Sequence, residues 1–98
     1  MPKKGQMSDR DAADMKVRDA AEYYNVVLYI PRRESRVHYT SPDLAKAVEF
    51  AETAYYDPQF VGIRSAMVYA VAADGRFALE GTTNQFDRNF KTVKAKIY

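Results

Sequence analysis

The chain has no cysteine, no tryptophan, a single histidine and only four glycines in 98 residues. Each shortage removes a class of chemistry. Without cysteine there is no disulfide framework, no thiolate nucleophile and no sulfur-ligated metal. One histidine, His38, is too few for an imidazole-built metal site, and any acid–base constellation would depend on it alone. The glycines, Gly5, Gly62, Gly75 and Gly81, stand apart from one another, so the sequence holds no phosphate-cradling loop and no nucleophile elbow. Asp9, Asp11, Asp14 and Asp19 alternate with Arg10, Lys16 and Arg18, which reads as the mixed charge of a solvated helix face rather than a metal cluster. No catalytic residue, metal or cofactor is therefore expected. The longest apolar run, Ala66 to Ala73, is far too short to cross a bilayer, and Met1 to Gln6 has a basic start with no apolar segment behind it. The expectation is a cytoplasmic protein with no membrane partner.

What is abundant is tyrosine, with eight residues. Tyrosine gives a large contact area for little rotamer entropy, and its hydroxyl tolerates a wet edge, so it is favoured where proteins meet. Charge is almost balanced at +2 overall but unevenly spread. Arg32, Arg33, Arg36 and His38 surround a single acid, Glu34. Near the C-terminus, Arg88, Lys91, Lys94 and Lys96 face only Asp87.

Length and composition predict one domain, 8–98, behind a short N-terminal arm, 1–7. Ser8 with Asp11 three residues on reads as a helix start, and Ala13, Val17, Ala20, Ala21 and Tyr24 follow at helical spacing. Val26 to Ile30 reads as a buried strand, Pro31 to Ser35 as a turn, and Arg36 to Thr40 as a returning strand. Simple alternation puts Val37 and Tyr39 on one face of that strand and Arg36, His38 and Thr40 on the other. The strongest helix signal runs from an N-cap at Ser41 to Tyr56. Leu44, Ala47, Val48, Ala51, Ala54 and Tyr55 share its inner face, Lys46, Glu49, Thr53 and Tyr56 share its outer face, and Asp57-Pro58 ends it. Arg64–Ala72 and Arg76–Thr82 form a second hairpin around Asp74-Gly75, two residues that tolerate the positive φ of tight turns. The C-terminus fits either period: Phe86, Phe90, Val93 and Ile97 step helically, whereas Thr92 to Tyr98 alternates. The helical reading is preferred because Asn84 and Asp87 supply a start. Together these predict an α+β fold with an antiparallel sheet of about four strands, a central helix on one face and helical terminal segments.

These features predict a small protein-interaction module, an inhibitor or adaptor that acts by steric docking, of the kind phages encode to block host machinery. Tyr29, Tyr39, Tyr55 and Tyr69 are expected to be core or half-buried. Tyr23, Tyr24, Tyr56 and Tyr98 are the expected protein contacts, with a foreign protein or a second copy of the chain as occupant. The alternative is nucleic-acid binding through the two basic clusters, in which rings interleave with cations. A more remote alternative is metal-independent ribonuclease chemistry on Arg32, Arg33, Arg36, His38 and Tyr39.

Overall fold

The computed structural model describes residues 8–93, and these form an α+β domain. Helix α1 (Asp9–Asp19) leads into the hairpin β1 (Ala21–Tyr29) and β2 (Arg36–Ser41). Helix α2 (Leu44–Thr53) follows, running into two single 3-10 turns at Ala54–Tyr56 and Pro58–Phe60. Strands β3 (Ser65–Ala72), β4 (Phe77–Asn84) and β5 (Lys91–Thr92) complete an antiparallel sheet of order β2-β1-β3-β4-β5. Among the described residues no helix is long and apolar enough to cross a membrane.

Both helices pack on one side of the sheet. Ala47, Ala51 and Ala54 of the α2 region lie on Val26, Leu28, Ala66 and Val68, all nearly or fully excluded from solvent. Alanine along the helix and at Ala66 and Ala70 on the sheet allows close approach, so the layer is filled largely by small side chains. Helix α1 adds a smaller cluster, in which Val17 meets Ala72 and Ala78. Thr83 is a buried polar residue of this layer. Its hydroxyl donates to the Ala51 carbonyl at 3.1 Å and shares a 2.8 Å hydrogen bond with the Tyr55 hydroxyl, so burial leaves neither group unpaired.

Several boundaries differ from the sequence expectation, each for a local reason. Helix α1 stops at Asp19, because Ala21 to Tyr29 pairs along β3, and that ladder claims Tyr24 for the strand. The N-cap of α2 is Asp43, whose carboxylate accepts the Ala45 N–H at 2.9 Å. Ser41 is instead buried at the end of β2, where its hydroxyl accepts the Asp43 N–H. The hairpin at Asp74-Gly75 has positive φ only at Gly75. The Gly75 N–H meets the Ala72 carbonyl and the Ala72 N–H meets the Arg76 carbonyl, which is a turn closed by one left-handed glycine. After Asn84 there is no helix up to residue 93. Asn84 Oδ1 accepts the N–H groups of Phe86 and Asp87, but the chain then turns and adds β5, giving five strands. The expected continuation through Ile97 lies outside the described residues.

Three register shifts decide which side chains face which way, the first between Ala21 and Tyr23 against β3. The second lies between Val26 and Val27 against β2, and the third between Val68 and Tyr69 against β4. In β2 the extra residue is His38. Val37 therefore pairs with Val27 on the open side, while Tyr39 pairs with Val26 on the helix side, contrary to simple alternation.

Candidate protein interface

The side of the sheet away from the helices has no cover among the described residues. Alternation and register place Tyr23, Asn25, Val27 and Tyr29 of β1 there, next to Val37 and Thr40 of β2. Met67, Tyr69 and Val71 of β3 and Phe77, Leu79 and Thr82 of β4 continue it. None of these twelve side chains is charged at neutral pH. Phe77 is 67% exposed, Tyr29 46% and Tyr23 37%. The Tyr69 and Phe77 rings meet edge to face at 5.8 Å, and Thr40 donates to Asn25 Oδ1 at 2.7 Å. Between Tyr23, Val37 and Phe77 runs a shallow groove of about 320 Å³.

The arginines gather elsewhere. Strands β1 and β4 end, and β2, β3 and β5 begin, at the same end of the sheet. That brings together Arg32 and Arg33 of the first turn, Arg36 at the start of β2, Arg64 before β3, Arg88 in the β4–β5 loop and Lys91. The described members of the two basic clusters thus share one end, and Arg64 joins them. The backbone ties the end together: the Arg64 N–H donates to the Tyr29 carbonyl, and the Gln85 N–H donates to the Arg64 carbonyl, both at 2.9 Å. Arg33 Nη1 donates to the Gln59 carbonyl at 3.2 Å. Arg32 sits at the third position of a turn in which the Arg33 N–H reaches the Ile30 carbonyl. Its φ of 69° is where glycine or asparagine is usual.

Of the expected contacts, Tyr23, Tyr24 and Tyr56 lie among the described residues. Tyr23 lies on the open sheet face. Tyr24, the next residue, faces the helices and packs half-buried against the core, where burial and then the Glu80 charge push its hydroxyl pKa up. Tyr56 is 70% exposed beside Arg88, whose guanidinium carbon lies 4.9 Å from its ring centroid and 5.2 Å from that of Tyr55. Tyr98, Lys94 and Lys96 lie outside the described residues. Lys91 is engaged with Asp87 at 2.6 Å. Sequence reasoning missed Tyr29 and Phe77 as exposed rings, although their alternation with core residues was available as a signal. It also missed Phe86, 91% exposed in the β4–β5 loop.

Arg33, Arg36 and His38 line one cavity of about 270 Å³ with Glu34, Leu28 and Ile30. Within it His38 packs edge-on against Phe60 at 5.2 Å. Burial, then Arg36 and Arg33, push its pKa below the usual histidine value. Among the described residues His38 has no hydrogen-bond partner to orient it. Tyr39 is stacked on Phe50 at 4.8 Å as part of the apolar layer. No group of three or more His, Asp or Glu side chains among the described residues is placed to hold a metal ion.

Comparison with known proteins finds no match to a family model, a curated protein or a solved structure.

Proposed function

We propose that this chain is a protein-interaction module, an inhibitor or adaptor that docks through the open face of its sheet. One observation carries the reading: a surface four strands wide that is rich in rings and aliphatic groups, carries no charge and is left uncovered by both helices. Interface centres are depleted of charge and enriched in aromatics, and large exposed apolar patches on a folded domain mark contact sites. A strand-built platform holds those rings in fixed positions, so little entropy is lost when a partner covers them. The mechanism is steric: the domain occupies a surface that another molecule needs, or joins two that would not otherwise meet.

The test uses the tagged chain and a Phe77→Asp variant in capture from cell lysate, with and without nuclease, after circular dichroism shows that both are folded. A defined protein that survives nuclease and is lost with Phe77→Asp supports the reading. Capture unaffected by Phe77→Asp overturns the assignment to this face. Sedimentation of the purified chain distinguishes a second copy of itself as the occupant.

A second reading, nucleic-acid binding, is favoured by the gathering of arginines beside exposed Tyr56 and Phe86. It requires affinity that falls steeply with salt, because phosphate contacts release counterions.

A further inference from the structure

The arginine end of the sheet supports an inference that does not depend on the open face. Arg32, Arg33, Arg36, Arg64 and Arg88 are all exposed there, and none is in an ion pair among the described residues. The two ion pairs among the described residues use other cations: Lys91 pairs with Asp87 at this end, and Arg76 pairs with Asp74 at the opposite end. Five arginines thus share one end of the sheet with fewer acids, Glu34, Asp57 and Asp87, and among the described residues none of these acids pairs with an arginine, an arrangement that costs stability and favours an anionic partner.

Two further features narrow the partner. Arg88 stacks against the rings of Tyr55 and Tyr56 and donates no side-chain hydrogen bond within the described residues. A guanidinium held in this way keeps its donors available for a planar, two-pronged bond to a carboxylate. Two residues before it, Phe86 is almost fully exposed on a loop that is firmly pinned. Asn84 Oδ1 accepts the Phe86 and Asp87 N–H groups at 2.8 and 2.9 Å, and the Asn84 N–H donates to the Asp87 carbonyl at 3.0 Å. An exposed ring on a preorganised loop is suited to insertion into an apolar pocket.

We propose that this end is a second docking site, one that takes an acidic segment of a protein carrying an apolar or aromatic residue to receive Phe86. The interleaved acids favour this over a nucleic-acid strand. Glu34 lies between Arg33 and Arg36, Asp57 follows Tyr56, and Asp87 precedes Arg88. A phosphate chain brings one charge per nucleotide and would meet these carboxylates, whereas a peptide presents its carboxylates singly.

The probe is a fluorescein-labelled peptide rich in Asp and Glu with one Phe, compared by anisotropy with its Asn/Gln counterpart and with a single-stranded oligonucleotide of equal charge. The acidic peptide is expected to bind and the neutral one not to. Arg88→Gln is expected to weaken binding about tenfold, the loss of one charge-assisted contact, with Phe86→Ser weakening it as well. Arg32→Gly guards against unfolding, because it removes a cation while relieving a left-handed backbone; it should weaken the peptide and leave the thermal midpoint equal or higher. Phe77→Asp, on the open face, should leave peptide affinity unchanged, so this site and the sheet-face reading fail separately. Tighter binding of the oligonucleotide than the peptide, no binding of either, or indifference to Arg88→Gln and Phe86→Ser would each overturn the proposal.

Discussion

Along β1, Val26 and Leu28 are 0% and 1% exposed, while Tyr23 and Tyr29 on the opposite face remain open to solvent. The same strand thus serves two surfaces with different compositions. The helix side is packed with alanine, valine and leucine, and among the described tyrosines only Tyr24, Tyr39 and Tyr55 pack against its core. The open side holds rings that the fold does not need for burial. Large side chains without cover cost solubility and contribute little to stability, so their presence on a rigid platform is better explained by what they contact than by what they hold together. On the proposed reading, stability and recognition fall to opposite faces of one sheet.

The largest expected effect tests that division directly. Leu28→Ala, at a fully buried position, should lower unfolding free energy by roughly 2–5 kcal/mol, from lost transfer energy and an unfilled cavity. Phe77→Ala removes a larger side chain but from a mostly exposed position, and should cost less than about 1 kcal/mol. Urea unfolding with an unchanged m-value measures both. If Phe77→Ala proved as costly as Leu28→Ala, the open face would be part of the core, and the assignment of recognition to it would fail.

A smaller effect is expected where the last strand closes the helix side. A Cβ at Gly81 would run into the Phe90 ring and the Lys91 carbonyl. Phe90 packs against the core, and its N–H donates to Glu52 Oε2 at 2.8 Å, so neither neighbour moves freely. Gly81→Ala should therefore cost about 1–3 kcal/mol by overpacking. Repeating it in a Phe90→Ala background should recover part of that loss, which would identify the ring contact as its source. A Gly81→Ala variant as stable as the parent would show that β5 is not held against β4 in this way.

Much of this architecture was legible in the residues. The α2 periodicity, the two hairpins and the inward alanines follow from hydrophobic spacing, which reports burial by a neighbouring layer. The C-terminal segment was not. Phe86, Phe90 and Val93 keep helical spacing, but Phe86 is almost fully exposed and Phe90 reaches the core from a loop, so the period reflected no shared face. The site was legible only in type. Tyrosine and arginine clusters mark contact surfaces, but which tyrosines are free depends on register, as the neighbours Tyr23 and Tyr24 show. The gathering of Arg64 with Arg32, Arg33, Arg36 and Arg88 at one end depends on strand order, which no local pattern encodes.

The smallest effect examines the bulge that sets the two faces at the β2 edge. Simple alternation would turn His38 away from the helices, toward solvent. The bulge instead brings it against Phe60, where burial, followed by Arg36 and Arg33, lowers its pKa. A lowered value means that the unfolded chain takes up the proton first as pH falls. Below the ordinary histidine value of about 6.5 the unfolded state then binds more protons than the folded one, and stability declines. The contribution of His38 is complete above that value and is lost as pH falls through the window down to its folded pKa. His38→Gln should flatten this part of the stability–pH profile, and Arg36→Gln should shift the imidazole titration, followed by NMR, back toward the ordinary value. An imidazole that titrates normally in the folded chain, unmoved by Arg36→Gln, would place His38 on the solvent side and remove the bulge from the account of how β2 divides its residues between the two faces.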